Sequence, residues 1–275
     1  MTQAGATALS SRPVLVTTAS TQPLVEVCAD IASRVDVFLS GNNDDEGDDD
    51  DARLLRARTQ ERVRASLAVT QEALTRYSND ELAISFNGGK DCLVMLVLLL
   101  ASIYYKSTTV TATARRFMPQ RIHTVYVHSD NAFAEVDRFV NACTAVYSLD
   151  LIRLPGPIKQ AFERFLHAKP HVRAIMVGTR RTDPNGHDLA GFNPTDHGWP
   201  EFMRVHPVVD WTYAEVWHFL RALNVPYLNL YDQGYTSLGG VTDTHKNPAL
   251  ADGSGGFRPA YELADDDKER LGRYK

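Results

Sequence analysis

The chain is poor in cysteine. Cys28, Cys92 and Cys143 are the only three in 275 residues, and no two form a C-x-x-C pair. That scatter excludes a disulfide framework and a cysteine zinc site, and it suits a reducing compartment. His187, His197 and His206 lack paired helical spacing, which argues against a histidine metal site. No apolar run reaches the ~18 residues of a membrane span. The longest, Leu93 to Ile103, has the length of a buried core helix. Met1 to Ser11 lacks a basic segment followed by an apolar one, so no secretory signal is read there. A cytoplasmic protein is expected. Thr, Ser and Arg without any acid before Glu26 keep a mitochondrial location as the alternative.

A basic face is also missing. The formal charge is −5, but Asp44, Asp45, Glu46 and Asp48 to Asp51 place seven negative charges in one short stretch. Without them the chain would carry +2. The remainder is near neutral to slightly basic, which suits a small anionic substrate and gives no reason to expect nucleic acid. Seven like charges this close repel, so residues 41–51 are expected to form a mobile loop. A monomer with small-molecule substrates, and no membrane partner, is expected.

What is present is a regular alternation. Leu24 to Leu39 and Ala52 to Tyr77 carry apolar residues at helical spacing. Strands are expected at Leu82–Phe86, Arg121–His128, Leu151–Leu154 and Ala174–Val177, with helices at 91–105, Ala132–Tyr147 and Ile158–Leu166 between them. This is the pattern of an α/β fold, Rossmann-like, with a mostly parallel sheet flanked by helices. Residues 1–51 read as an amino-terminal extension with one helix and the acidic loop, and 52–275 as one domain with a carboxyl-terminal extension. Thr212, with Glu215 three residues on, is a capping box opening a helix over 213–223.

The stretch Ser85-Phe86-Asn87-Gly88-Gly89-Lys90-Asp91-Cys92 joins the first strand to its helix. Two glycines permit a sharp turn and close backbone approach. The free N–H groups and partial positive charge of the helix start make an anion site. Lys90 adds a cation, and Asp91 a carboxylate that could hold Mg²⁺. This is neither a Walker A loop nor G-x-G-x-x-G. A second segment, Gly178-Thr179-Arg180-Arg181-Thr182-Asp183, follows another strand and offers guanidinium forks and a carboxylate. In open α/β sheets, ligands bind at such strand ends. Cys92 is read as a small helix residue rather than a nucleophile.

Residues 85–92 resemble the PP-loop of the ATP pyrophosphatase superfamily, with one residue inserted before Gly-Gly and Cys92 in place of a serine. The later segments extend the likeness: Pro194-Thr195-Asp196 with Trp199-Pro200, Asp210-Trp211-Thr212, Gly234-Tyr235-Thr236-Ser237-Leu238-Gly239, Asn247-Pro248-Ala249-Leu250, and Arg258 with Arg270 and Arg273. From about Leu82 onward, the chain is similar to the eukaryotic FAD synthases of the single-domain fungal type, on a fold near phosphoadenylyl-sulfate reductase. The resemblance implies cleavage of ATP between its α and β phosphates and transfer of AMP to FMN, giving FAD and pyrophosphate with Mg²⁺. It implies ATP binding by Ser85, Phe86, Gly88, Gly89, Lys90, Gly178 and either Arg180 or Arg181. It implies catalytic roles for Asn87, Asp91, Asp183 and Arg270, with Asp91 and Asp183 as the magnesium carboxylates. It implies a flavin site at Asp196, Trp199, Tyr235, Arg258 and Arg273, with apo-flavoproteins as possible acceptors of the product. Arg270 and Arg273 are expected on one face of a helix. A sulfonucleotide reductase is the alternative on this fold, but its chemistry needs a carboxyl-terminal cysteine, and none follows Cys143. A non-enzymatic nucleotide- or flavin-binding module is the third reading, and a tRNA-modifying PP-loop enzyme would want the missing basic face or cysteine clusters.

Overall fold

The computed structural model describes residues 22–41, 49–108, 117–129 and 131–273. Most of the acidic run and most of the Thr-rich stretch after Thr108 lie outside the described residues. Helix α1 (Leu24–Ser40) and helix α2 (Asp50–Arg76) precede strand β1 (Leu82–Ser85). Helix α3 (Lys90–Thr108), strand β2 (Ile122–His128), helix α4 (Ala134–Val146), strand β3 (Leu149–Pro155), helix α5 (Ile158–Ala168) and strand β4 (Ala174–Met176) follow in strict alternation. Strands β5 (Phe192–Pro194) and β6 (Met203–Val205) and helix α6 (Tyr213–Ala222) complete the regular elements. The remaining chain runs as single 3₁₀ turns to residue 273.

The six strands lie in the order β3-β2-β1-β4-β6-β5, parallel except for the β5–β6 pair. From β1 the chain moves outward to β2 and β3, then returns to place β4 on the other side of β1. That reversal opens a crevice at the carboxyl ends of β1 and β4. Residues 86–89 and Gly178 both lie there.

Alternation along the strands sorts the two faces. Ala83, Val125 and Ile175 meet Phe162 and Phe165 of α5. Leu82, Ile84, Ala174 and Met176 belong to the larger core shared with α1, α2, α3 and α6. Helix α3 is buried almost all round from Leu93 to Ile103, because helices cover the sides that the sheet does not. By length and hydropathy alone it is apolar enough to cross a membrane.

Three expectations change. First, residue 51 is not a boundary: Leu24, Val27, Cys28, Ile31 and Val35 of α1 sit in the main core. Second, the acidic run ends inside α2. The Asp49 side chain accepts from Ala52 N at 2.8 Å, and Asp50 and Asp51 fill the first turn. Carboxylates there are favoured by the helix dipole, so the helix recruits them from the loop. Third, β5 and β6 carry too few residues for a period to show, and turn-forming neighbours mask them. The expected box at α6 is present, with Thr212 Oγ1 accepting from Glu215 N and Glu215 Oε2 from Thr212 N.

Thr59, Gln60, Val63, Ser66, Leu67, Thr70, Ala73 and Leu74 form the inner stripe of α2, and Arg62 reaches in to the buried Glu215, with Nε 3.5 Å from Oε2. Its buried polar groups make cross-links: Gln60 donates to Phe38 O at 2.8 Å, and Trp211 Nε1 donates to Ser66 Oγ at 2.8 Å. Some buried polar groups lack such links among the described residues, Ser102 Oγ and His206 among them. His206, just after β6, is 2% exposed, and neither ring nitrogen has a hydrogen-bond partner among the described residues. Burial, helped by the nearby Arg204 charge, lowers its pKa from 6.5 to about 4.

Candidate active site

Residues 86–89 turn the chain from β1 into α3. Gly88 has φ +75°, and a Cβ on it would lie 3.1 Å from Val140 Cγ2. Both facts require glycine. The Asn87 side chain accepts from Gly89 N at 2.9 Å, and Lys90 N donates to the Tyr231 hydroxyl at 3.1 Å. The loop is therefore braced from within and from the carboxyl-terminal region. Gly178 serves a different approach. A Cβ there would sit 3.0 Å from Cys92 Sγ and 3.1 Å from Cys92 N, so glycine lets the end of β4 lie against the start of α3.

Four charged side chains form a closed ring beneath the loop. Lys90 Nζ contacts Asp91 Oδ2 at 3.2 Å and Glu269 Oε1 at 2.5 Å. Arg180 pairs with Glu269 through its terminal nitrogen and with Asp91 Oδ1 through Nε at 2.8 Å. The Arg180–Asp91 contact is an ion pair without a well-directed hydrogen bond. Lys90 also lies 5.2 Å from the centre of the Tyr213 ring. Burial alone would lower the Lys90 pKa, but the Asp91 and Glu269 carboxylates outweigh it and hold the ammonium charged. Burial would raise the Asp91 pKa, and Lys90 and Arg180 pull it below the ordinary aspartate range. The two basic and two acidic side chains of the ring balance in formal charge.

Asp183 stands beside it. Its Oδ2 accepts from Arg180 N at 2.9 Å, and its Oδ1 lies 3.5 Å from Arg270. Burial raises its pKa, and the Asp91 charge adds to the rise. Burial also lifts the Cys92 thiol to about 12, so it is protonated at neutral pH and is no nucleophile.

Asn87, Gly89, Lys90, Asp91, Gly178, Asp183, Arg270 and Arg273 line one cavity of about 290 Å³, together with Tyr126, Ser129, Tyr231, Ser237 and Glu269. Most of the expected phosphate and catalytic residues thus converge. Several others do not. Phe86 is fully buried in the core, and neither it nor Ser85, Gly88 or the buried Arg180 lines the cavity. Arg181 turns outward to Asp210 Oδ1 and His187 O, leaving Arg180 as the inward arginine. Tyr235 packs edge-on against Phe133, and Arg258 is exposed beside Ala249 O. Arg270 lies in a turn after a 3₁₀ helix and Arg273 in an antiparallel bridge to Thr244, rather than on an α-helix; the chain here follows contacts with residues 236–247 instead of its own periodicity.

Asp196 and Trp199 occupy the turn between β5 and β6. Asp196 is exposed and lies 3.3 Å from Arg204. Because Met203 pairs with Ala174 in parallel register, that turn hangs at the amino ends of β4 and β6. It is the end opposite Gly178.

Glu269 was missed because it follows Asp265, Asp266 and Asp267, a composition that reads as solvated tail. Tyr231 carries no local signal of the contact that its hydroxyl makes with Lys90 N.

For magnesium, the donor set is narrow. Among the described residues, no three His, Cys, Asp or Glu gather as a metal cluster. Both oxygens of Asp91 already face cations, whereas Asp183 Oδ1 has only a 3.5 Å contact with Arg270. Magnesium commonly takes one or two carboxylates with substrate phosphates and water. Asp183 fits that use.

The phosphoadenosine phosphosulfate reductase domain matches residues 81–246. The chain is 45% identical over 214 residues to a probable FAD synthase of Schizosaccharomyces pombe, covering 78% of this chain and 79% of the relative. It superposes on Candida glabrata FMN adenylyltransferase in complex with FMN and the ATP analogue AMPCPP, with a TM-score of 0.82 and 27% identity over 94% of this chain and 99% of that one. The same enzyme with FAD and pyrophosphate gives a TM-score of 0.82 at 26% identity, covering 91% and 99%. With its crevice at the β1–β4 reversal, its braced glycine turn and these relatives, the chain belongs to the FAD synthase family.

Proposed function

We propose that the chain transfers AMP from ATP to the phosphate of FMN, forming FAD and pyrophosphate. The convergence of Asn87, Gly89, Asp183 and two carboxyl-terminal arginines on one cavity carries this reading. An FMN phosphate oxygen attacks the α-phosphorus, the bond from that phosphorus to the bridging oxygen breaks, and pyrophosphate leaves. The attacking phosphate is already an anion and needs no strong base. It needs alignment and charge neutralisation. The glycine turn and the positive end of the helix dipole face the nucleotide phosphates, and Arg270 and Arg273 neutralise them. Asp183 would hold a magnesium ion that arrives with ATP, supplying charge stabilisation at the phosphates.

The cavity is lined by the expected phosphate-end residues, and Asp196 and Trp199 lie outside it. The flavin therefore extends beyond it, and Asp196 with Trp199 is the proposed far end. From Gly178 back to Arg173 the backbone spans five residues, roughly 17 Å at strand rise. An extended ribityl phosphate bearing a tricyclic ring bridges such a distance. An acceptor carboxylate at the ring's N–H edge and an aromatic face make a suitable pocket.

The test is incubation of purified protein with FMN, ATP and Mg²⁺, separated by chromatography. FAD and pyrophosphate in equal amounts are expected. AMP without FAD would assign a different acceptor.

A further inference from the structure

We propose that Glu269 is a positioning residue whose carboxylate fixes the strap carrying Arg270 and Arg273 into the phosphate cavity. The proposal rests on the adenylyl-transfer reading of that cavity. Glu269 has 10% of its side chain exposed, and its two carboxylate oxygens are both used, one on Lys90 and one on Arg180. It is therefore occupied with protein groups and acts through them. Its removal would leave two buried cations facing Asp91 alone, an imbalance that buried charges do not tolerate without rearrangement.

The backbone on either side of Glu269 is tied down as well. Thr236 Oγ1 donates to Glu269 O at 2.6 Å, and Asn247 Nδ2 donates both to Thr236 Oγ1 and to Lys268 O at 2.8 Å. His245 N donates to Gly272 O at 2.8 Å. The Glu269 side chain thus docks residues 268–273 onto the loop at one face while Thr236 and Asn247 dock them at the other. Arg270 is the next residue and lies 3.5 Å from Asp183 across the cavity. Because the ring of Lys90, Asp91, Arg180 and Glu269 sums to zero charge, it contributes orientation. Net attraction for phosphate comes from Arg270 and Arg273. A misplacement of about 1 Å in such groups can cost on the order of a hundredfold in rate.

Glu269→Gln keeps size and removes the charge. Hydrogen exchange measured without substrates should quicken about tenfold or more at residues 266–273 and stay unchanged in β1 and β4. In FAD synthesis, kcat should fall on the order of tens of fold and KM for ATP should rise several-fold. A merely destabilising change would lower the active fraction and leave KM for ATP alone. The double variant with Arg180→Gln should be no worse than the worse single one, since the two act as a pair. Unchanged strap exchange and unchanged kcat in Glu269→Gln would overturn the proposal. Should that variant not fold, Thr236→Val loosens the same strap without unbalancing charge. Faster strap exchange with a raised KM for ATP supports the proposal, and neither change overturns it. A wild-type protein that makes no FAD while Glu269→Gln still frees the strap would sink the reaction assignment and leave the anchor standing.

Discussion

Replacing His206 with leucine should remove a specific pH dependence of stability. The imidazole is 2% exposed and without hydrogen-bond partners among the described residues, and its pKa in the fold is lowered to about 4 from 6.5. The unfolded chain therefore binds a proton between those values that the folded chain refuses. Above pH 6.5 both states are neutral at this site and it contributes nothing to pH dependence. As pH falls from 6.5 towards 4 the unfolded state gains stability, and below about 4 the loss is complete. A difference of about 2.5 pKa units corresponds to roughly 3 kcal/mol in all, of which about 2 kcal/mol has accrued by pH 5. Urea unfolding of wild type and His206→Leu at pH 7.5, 6.5, 5.5 and 5.0 isolates it, because every other titrating group is common to both. The stability of wild type relative to the variant should fall by about 2 kcal/mol between pH 7.5 and 5.0. Leucine also changes packing, but that offset is constant with pH. A relative stability that stays level across the range would refute the reasoning, and would mean that the imidazole is protonated in the fold or has found a partner.

Gly178→Ala places a methyl group 3.0 Å from Cys92 Sγ and 3.1 Å from Cys92 N, so the urea midpoint should drop by the equivalent of about 1–3 kcal/mol and kcat should fall as the start of α3 moves. An unchanged midpoint would show that β4 and α3 are not in tight contact there. Arg181→Ala should cost less than about 1 kcal/mol of stability, since its Asp210 partner is exposed, and should leave kcat within about twofold. Arg270→Ala should cost on the order of 10²-fold in kcat/KM, and equal effects of the two substitutions would contradict the inward–outward assignment. Asp196→Ala should raise KM for FMN more than KM for ATP; equal rises would remove Asp196 from the flavin end.

The sheet and its glycine turn were legible because their signals are local. Leu82 to Ile84 is a short apolar run, Gly88-Gly89 follows at once, and Leu93 to Ile103 cannot be a surface helix. The capping box at Thr212 and Glu215 is likewise written in four consecutive residues. What escaped depends on partners distant in sequence. Nothing near Glu269 announces that it meets Lys90, 179 positions earlier, and its acidic neighbours point to solvent. Arg180 and Arg181 are adjacent and chemically identical, and only the position of Asp210 across the loop decides which turns outward. Strands β5 and β6 have three residues each, too short for alternation to register, and exist because β4 leaves an edge to pair with.

That the buried cations are already paired bears on how such a site turns over. Both substrates and both products are anions. A buried, unpaired lysine or arginine under the phosphates would bind them all and hold pyrophosphate after the transfer, tightening ground state and product alike without lowering the barrier between them. Here Lys90 and Arg180 are neutralised by Asp91 and Glu269, whereas Arg270, with 46% of its side chain exposed, and Arg273, with 22%, line the cavity with looser 3.5 Å contacts to Asp183 and Asp243. Both belong to one short strap. The charge that meets the phosphates is thus placed on the segment that Glu269 holds to the loop. The alignment that the reaction needs resides in the buried ring and in the turn at Gly88, which have no reason to move.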